Sequence, residues 1–331
     1  MKIDDLIFNS HAIQCFRPDD DKSLIEDDGV RYHYTSPDAF LSIIKYQKLR
    51  FTDIRYMNDK SEYIYFIKAL LDFLEENKGK FSYTEEVVNE LLKENDTKEI
   101  QKLETSSIKF TEIKGFPYKP TRKFVFCTCQ EPDALNMWNY YVQNGSYRGF
   151  SIGFKIKKLL KTFDTLEKHT ADPFLVFYGK VLYDSKKQKT EIEKLVKKIE
   201  SFVKDNNHNN FNYAMLSLRN YIDSRGAFYK SSKFENEKEY RIVVEIAQER
   251  LESSKTNYKG DFNKTLCEDY CVKNGIIAPF LEVQLPRDAI SRVNLAPMSE
   301  YDISKESVTG LLKNNNFKDF QIHKSKIPIR F

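Results

Sequence analysis

Glycine and proline are the scarce residues of this 331-residue chain, 11 and 10 in number, about half of ordinary combined usage. That shortage, with an apolar share of 40%, disfavours collagen, long flexible linkers and disorder. No G-x-x-x-x-G-K-[ST] loop and no G-x-G-x-x-G turn is present. Both motifs use glycine to bring backbone N–H groups against phosphate, so a P-loop NTPase and a Rossmann enzyme are disfavoured as well. Cysteine is short too: five residues, at 15, 127, 129, 267 and 271, make an odd set unlike the paired framework of a secreted scaffold. The opening MKIDDLIFNS lacks a charged region followed by an apolar run of signal-peptide length, and no uncharged apolar stretch is long enough to span a bilayer. The expectation is a cytoplasmic protein without a membrane partner.

Excess charge is also nearly lacking. The net charge is +4, and the stretch Lys186 to Lys204, with seven lysines against Glu191, Glu193 and Glu200, accounts for all of it. A protein that binds nucleic acid through its electrostatic footprint would show more. The lysine run reads first as the solvated face of a helix, with an anionic surface as the alternative ligand. What the chain has in abundance is rings: 25 Phe, 20 Tyr and one Trp, which point to a core built from aromatics with Ile and Leu.

Residues 1–29 read as a polar N-terminal extension, and 30–331 as one α+β domain with helical insertions at about 60–122 and 186–225. Val30 to Thr35 alternates as a strand, and Ser36-Pro37-Asp38 then starts a helix with a serine cap, a first-turn proline and an acid facing the helix dipole. Asn58, Asp59 and Glu62 have the spacing of a capping box. Lys123 to Cys129 is predicted as a strand, and Asp133 as the cap of a helix carrying Met137, Trp138 and Tyr141 that Asn144-Gly145 ends. Further strands are predicted at 150–154, 174–182, 240–246, 276–285, 293–295 and 320–323, with helices at 186–204, 211–223 and 304–314.

Several motifs carry chemistry, each with a plainer reading beside it. Gly149-Phe150-Ser151-Ile152-Gly153 matches the G-x-S-x-G nucleophile elbow, but Phe150, Ile152 and Phe154 alternate through it as in an ordinary strand, so the strand reading is preferred. Cys127-x-Cys129 and Cys267-x-x-x-Cys271 do not have the spacing of a structural zinc knuckle, and no metal is expected. Glu235, Glu237 and Glu239 precede the apolar strand Ile242 to Ile246 at alternate positions, so Glu237 and Glu239 would project to the same side of an extended segment. Paired carboxylates suit chemistry at a sugar carbon, where one stabilises an oxocarbenium-like transition state and the other positions a nucleophile. The plainer reading is a solvated turn neutralised by Arg241. His33, beside Tyr34 and Thr35, is either a hydrogen-bonded core histidine or a site residue. Trp138 and Tyr141 lie one helical turn apart, as a core stripe or as a ring platform for a base or nicotinamide.

Tyr32-His33-Tyr34-Thr35-Ser36, Asn58-Asp59-x-x-Glu62, Cys127-Thr-Cys, Met137-Trp138-x-x-Tyr141, Lys230 with Glu237-x-Glu239-x-Arg241, and Ser325-x-Ile327-Pro328-x-Arg330 together resemble a bacterial domain-of-unknown-function family found near phage-defence and toxin-like genes. A more distant resemblance is to ADP-ribosyltransferases, which carry Arg or His on a first strand, a Ser-Thr-Ser-like triplet on a second and a [Glu/Gln]-x-Glu pair before a third. His33, Cys127-Thr128-Cys129 and Glu237-x-Glu239 take those places here, with cysteines for both serines of the triplet. The resemblance implies a split two-sheet core with NAD bound in a cleft between the sheets. His33 would hold the cofactor's ribose or phosphate, and Glu239 would anchor the nicotinamide ribose and stabilise the oxocarbenium ion. Glu237 would orient the acceptor, a protein or nucleic acid, and Tyr34, Trp138 or Tyr141 would stack on nicotinamide. Thr35, Thr128 and Arg241 complete the cofactor-binding set. On this reading Glu239→Ala abolishes nicotinamide release and leaves the fold intact, because an exposed acid contributes little stability. Two rivals are a Mg²⁺-dependent nuclease using Asp59, Glu62, Glu237 and Glu239, and a non-catalytic sensor or binding module of a defence system.

Overall fold

A computed structural model describes residues 13–15, 29–57, 61, 64–102, 108–116, 120–142, 147–169, 174–205, 210–249, 251, 266, 268–273 and 275–329. Eleven strands are found among them: β1 (Ile13–Cys15), β2 (Val30–Thr35), β3 (Lys48–Asp53), β4 (Thr121–Cys129), β5 (Phe150–Lys155), β6 (Phe174–Lys180), β7 (Glu239–Ala247), β8 (Glu268–Lys273), β9 (Ile276–Gln284), β10 (Ile290–Leu295) and β11 (Gln321–Lys324). The helices are α1 (Pro37–Tyr46), α2 (Tyr65–Glu76), α3 (Ser82–Leu92), α4 (Thr97–Lys102), α5 (Leu135–Tyr141), α6 (Ile156–His169), α7 (Ser185–Asp205), α8 (Phe211–Arg225) and α9 (Tyr301–Asn314). The architecture is mixed α and β, built on one mostly antiparallel sheet; only the pairs β1 with β6 and β10 with β11 are parallel.

The sheet forks. One edge of β4 pairs β7 along its full length, from Thr121↔Ala247 to Cys129↔Glu239. The other edge meets two strands: β3 at Thr52↔Val125 and Asp53↔Phe124, and β2 at Tyr32↔Cys129. On this second edge Phe126, Cys127 and Thr128 lie between the two contacts without a register partner. From the fork one arm continues as β2-β5-β10-β11 and the other as β3-β9-β8. The second arm is tied at its base by the buried Asp53, whose carboxylate accepts from Arg55 and from Arg122, while Arg122 also binds Glu268 on β8. Burial works against the charge on Asp53, and the two arginines outweigh it and hold the group below the ordinary carboxylate range.

Alternation explains how both faces of this sheet are covered. Tyr240, Ile242, Val244 and Ile246 of β7 join Phe124 and Phe126 in a core closed by Phe40 and Ile44 of α1, Phe163 of α6, and Val308 and Leu312 of α9. Val243 and Val125 face the opposite way, against Phe66, Leu70, Val88, Val196, Ile199 and Leu218 of α2, α3, α7 and α8. The two helical segments read as insertions therefore pack on each other and form one layer. On α7 the buried stripe is Ile192, Leu195, Val196, Ile199, Phe202 and Val203, and outward lysines pair with acids, as in Lys189–Glu76 and Lys197–Glu193. Helix α1 starts as the sequence predicts: Ser36 Oγ accepts from the Ala39 N–H, and Pro37 occupies the first turn.

Other expectations are corrected. The segment before residue 30 holds strand β1, parallel to β6. Asp133 is not the cap of α5, whose N-cap is Ala134 without a side-chain bond. Its carboxylate instead accepts from Trp138 Nε1 and Ser325 Oγ on one oxygen and from the Lys326 N–H on the other, each at 2.7 Å. The residues after β11 are thus strapped to α5. The capping-box residues Asn58, Asp59 and Glu62, the helix stop Asn144-Gly145, and Arg330 lie outside the described residues. Ser151 of the G-x-S-x-G match is fully buried within β5, so no nucleophile elbow forms. No helix among the described residues is long and apolar enough to cross a membrane.

Candidate functional site

A cavity of about 610 Å³ lies against the unpaired stretch of β4, a volume ordinary for small-molecule sites. Its floor is Val125 to Thr128 of β4 with Glu239 of β7 beyond them. One wall comes from Tyr32 to Thr35 of β2 and the start of α1, the second from Lys48, Arg50 and Thr52 of β3 with Glu282 and Lys273, and the third from Met137, Tyr140 and Tyr141 of α5. A sheet that forks on one edge leaves a main-chain gap, and side chains from both arms line it.

His33 sits at the point of divergence. Just past the last β2–β4 pair its Nδ1–H donates to the Cys127 carbonyl at 3.0 Å, so the ring satisfies a group that a continuous ladder would have paired. A donor Nδ1 leaves Nε2 as an acceptor in the neutral ring. Burial keeps the ring neutral, pushing its pKa below the usual value against the pull of the Cys127 bond, and Lys273 adds to the depression. The ring also packs 4.7 Å from Phe126.

The acidic segment is not extended. Ser232–Glu237 is a 3-10 turn, and Lys238 takes a left-handed conformation with φ 45° before β7 begins. This reversal brings Glu237 and Glu239 onto one ammonium: Lys230 Nζ lies 2.7 Å from Glu237 Oε2 and 3.0 Å from Glu239 Oε1. Arg241 holds the other Glu239 oxygen and donates to the Ala227 carbonyl. The Glu239 N–H donates to the Tyr183 hydroxyl. All four charged side chains are buried, Glu239 at 2% exposure and Arg241 at 0%, so the solvated-turn reading does not hold. For the same reason the stability argument for Glu239→Ala fails: that substitution strips a buried partner from two cations.

The cluster separates its two carboxylates. Burial opposes charge on Glu239 but is outweighed by Arg241, a hydrogen bond from Glu237 and Lys230, which hold Glu239 well below the ordinary range. Burial first, then Glu239, pushes Glu237 up to about 8, against Lys230. At neutral pH the pair holds one proton, on the Glu237 side, and Glu239 remains ionised beside the cavity.

Of the residues singled out from the sequence, His33, Tyr34, Thr35, Thr128, Tyr141 and Glu239 line this one cavity. Tyr141 has no hydrogen-bond partner among the described residues, and burial with the charges of Glu239 and Glu237 keeps its hydroxyl protonated. Tyr34 serves as wall: its hydroxyl donates to the Glu131 carbonyl and accepts from the Ala134 N–H. The Thr128 hydroxyl donates to the Tyr240 carbonyl. Glu237, Trp138 and Arg241 do not reach the cavity. Trp138 is fully buried, edge-on to Tyr34 at 4.7 Å, and supports the wall from behind. Arg241 acts only through Glu239. The sequence reading missed Lys230's pairing role, and it missed Arg50 and Lys273, which no local motif marks. Among the described residues no group of three His, Cys, Asp or Glu side chains is placed to hold a metal ion, and Cys127, Cys129 and Cys271 are free thiols.

Residues 137–242 match the model of a family described as a protein of unknown function, DUF2971. No curated protein and no solved structure matches this chain. The matched segment runs from α5 into β7. It therefore contains Tyr141 and the whole Lys230–Glu237–Glu239–Arg241 cluster, whereas His33 lies before it.

Proposed function

We propose that the protein cleaves the nicotinamide–ribose bond of NAD in this cavity and transfers ADP-ribose to a macromolecular acceptor. One observation carries the reading: His33, Tyr141 and Glu239, distant in sequence, line a single cleft at the fork of the sheet, and Glu239 is kept ionised there by two buried cations. In the reaction the C1′–N bond breaks, its electron pair goes to the ring nitrogen, and neutral nicotinamide leaves. The positive charge that develops on the ribose is stabilised by the fixed Glu239 carboxylate. An acceptor nucleophile then bonds to C1′ and releases its proton to solvent. His33, with Nδ1 committed to Cys127, offers Nε2 as acceptor to a ribose hydroxyl, and Tyr141 supplies a ring and an unpaired hydroxyl beside Glu239. The split sheet with a cleft at the division supports an ADP-ribosyltransferase-like core. Glu237 takes a supporting part, since it holds the pair's one proton and shares Lys230.

The test is nicotinamide release from NAD, measured with proteins and with nucleic acid as acceptors. Wild-type protein releases nicotinamide, and Glu239→Gln, which keeps shape and lets Glu237 ionise in its place, loses that activity while still melting cooperatively. A purified protein that neither binds NAD nor releases nicotinamide with either acceptor class overturns the proposal.

A further inference from the structure

Charge along the cavity is distributed unevenly, and the imbalance is on the β3-β9-β8 arm. Glu239 is compensated by Lys230 and Arg241 from behind the floor, and Lys48 is compensated by Glu282 at 2.5 Å. Two cations on the same arm have no carboxylate partner among the described residues. Arg50 is exposed, and its guanidinium is 4.6 Å from the ring centroid of Phe280. Lys273 donates only to the thioether of Met57, at 3.8 Å. Both project from the cavity-facing side, since Lys48, Arg50 and Thr52 alternate on β3 and all three line the space.

Arg50 also leans along its arm toward Lys273. The cross-strand partner of Arg50 is Glu282, yet its guanidinium lies over Phe280, two residues further along β9 in the direction of Lys273. Lys273 in turn is close enough to His33 to depress that ring's basicity. Stacking on Phe280 leaves the N–H edge of Arg50 free for a planar or tetrahedral anion, the geometry in which guanidinium outperforms ammonium. Among the described residues, the one carboxylate lining the cavity without an ion-pair partner is Asp38, in the first turn of α1. At the mouth Tyr46 and Tyr140 present open rings, 70% and 65% exposed, on the other walls.

We infer that the β3-β9-β8 arm is the phosphate-holding wall of the cavity, with Arg50 and Lys273 contacting phosphate oxygens, so that its ligands are nucleotides carrying a pyrophosphate. In a chain with so few glycines this is a side-chain route to a task that other folds give to backbone N–H groups. The inference rests on reading the cavity as a nucleotide cleft, but it concerns binding and needs no bond to break.

The test compares binding of ADP-ribose, AMP, inorganic pyrophosphate and adenosine by calorimetry to the full chain. ADP-ribose, which lacks nicotinamide and cannot be turned over, is the main probe. Arg50→Gln and Lys273→Gln are each expected to weaken ADP-ribose at least tenfold and to leave adenosine unchanged, while Arg50→Lys, which keeps the charge and loses the fork, falls between wild type and Arg50→Gln. Inorganic pyrophosphate and ADP-ribose should bind more weakly as salt rises, and AMP should fall between ADP-ribose and adenosine. Lys158→Gln, which removes a lysine paired with Asp288 outside the cavity, should change nothing. Melting curves confirm that each variant is folded, and Lys273→Gln decides the matter if Arg50→Gln loosens Phe280. Wild-type protein that binds ADP-ribose no better than adenosine, or a folded double variant that binds it as well as wild type, overturns the inference. If ADP-ribose binding depends on both cations but nicotinamide is never released, the phosphate wall stands and the transferase reading falls. Release that survives unchanged in the double variant removes the wall alone.

Discussion

Strand β7 carries two buried clusters, each of two basic and two acidic side chains, at its two ends. At one end Lys230 and Arg241 meet Glu237 and Glu239; at the other Lys123 and Arg219 meet Asp223 and Glu245. Glu239, Arg241 and Glu245 occupy alternate positions of one strand, so they point to the same face. Each cluster holds one acid above the ordinary range, Glu237 in the first and Glu245 in the second, and burial is the leading cause in both. What differs is what lies beside them. The Glu239 end borders the 610 Å³ cavity at the fork, whereas the Glu245 end faces α8 across a void of about 10 Å³, room for roughly one water. A buried ion network is therefore no mark of function by itself; its position at a break in the sheet is.

The sharpest way to separate the clusters is to remove the lysine from each. Lys123→Met and Lys230→Met both leave two buried acids to one arginine, and each is expected to cost about 3–5 kcal/mol in urea denaturation. Only Lys230→Met should also lower nicotinamide release per folded molecule, because only there is the stranded acid part of the cleft. Next in size, Glu239→Gln should reduce release by roughly 10²–10³-fold, the loss typical of one oriented electrostatic stabiliser. Glu245→Gln should leave release unchanged, since the Glu245 Oε2 it replaces has no hydrogen-bond partner and lies away from the cavity. Equal losses in the two variants would erase the distinction drawn between the two ends.

A subtler contrast is in pH. The folded-state pKa of Glu237, pushed up to about 8, lies above its ordinary value near 4.5. Stability from its proton is thus fully present below the ordinary value and is lost as pH rises through about 8. Denaturation midpoints from pH 5 to 8 should fall for wild type relative to Glu237→Gln. Glu245→Gln should show the same sign, but only Glu237→Gln should alter the pH profile of nicotinamide release. The smallest effect is expected at Lys238→Gly. Glycine relieves a left-handed backbone costing about 1 kcal/mol, while loss of the exposed Lys238–Glu131 pair and the freer unfolded chain offset it. A net change below about 1 kcal/mol with unchanged release would show that the turn's shape, and not its lysine, sets the two carboxylates.

Much of the frame was readable from local pattern. β2 and β5 alternate, β4 and β7 carry apolar runs, and Ser36-Pro37 marks the start of α1 without competition from elsewhere. Helix α6 was missed because it follows β5 with no intervening breaker or cap residue, and β8 because its outward positions Tyr270 and Val272 are apolar and exposed, the reverse of the usual pattern. Asp133 misled for a related reason. The capping rule sees only neighbours in sequence, whereas this carboxylate answers to an indole and to residues some 190 positions away. The candidate site was half legible. His33 and Glu239 stand out as residue types, but the fork that brings them together depends on which strands pair with β4, and no window of sequence contains that. Arg50 and Lys273 carry no signal until the fold sets them on one wall of the cavity.

The strap at Asp133 makes α5 and the segment after β11, some 190 residues apart, one cooperative unit. Trp138 is gripped by the carboxylate that grips Ser325 and Lys326, and the same short helix presents Tyr140 and Tyr141 to the cavity. Local opening of residues 325–327 therefore cannot be confined to the periphery. It takes two of three donors from the carboxylate that holds the Trp138 indole N–H and so loosens the anchor of a cavity wall, and fraying at one edge of the molecule is transmitted as plasticity at the cleft.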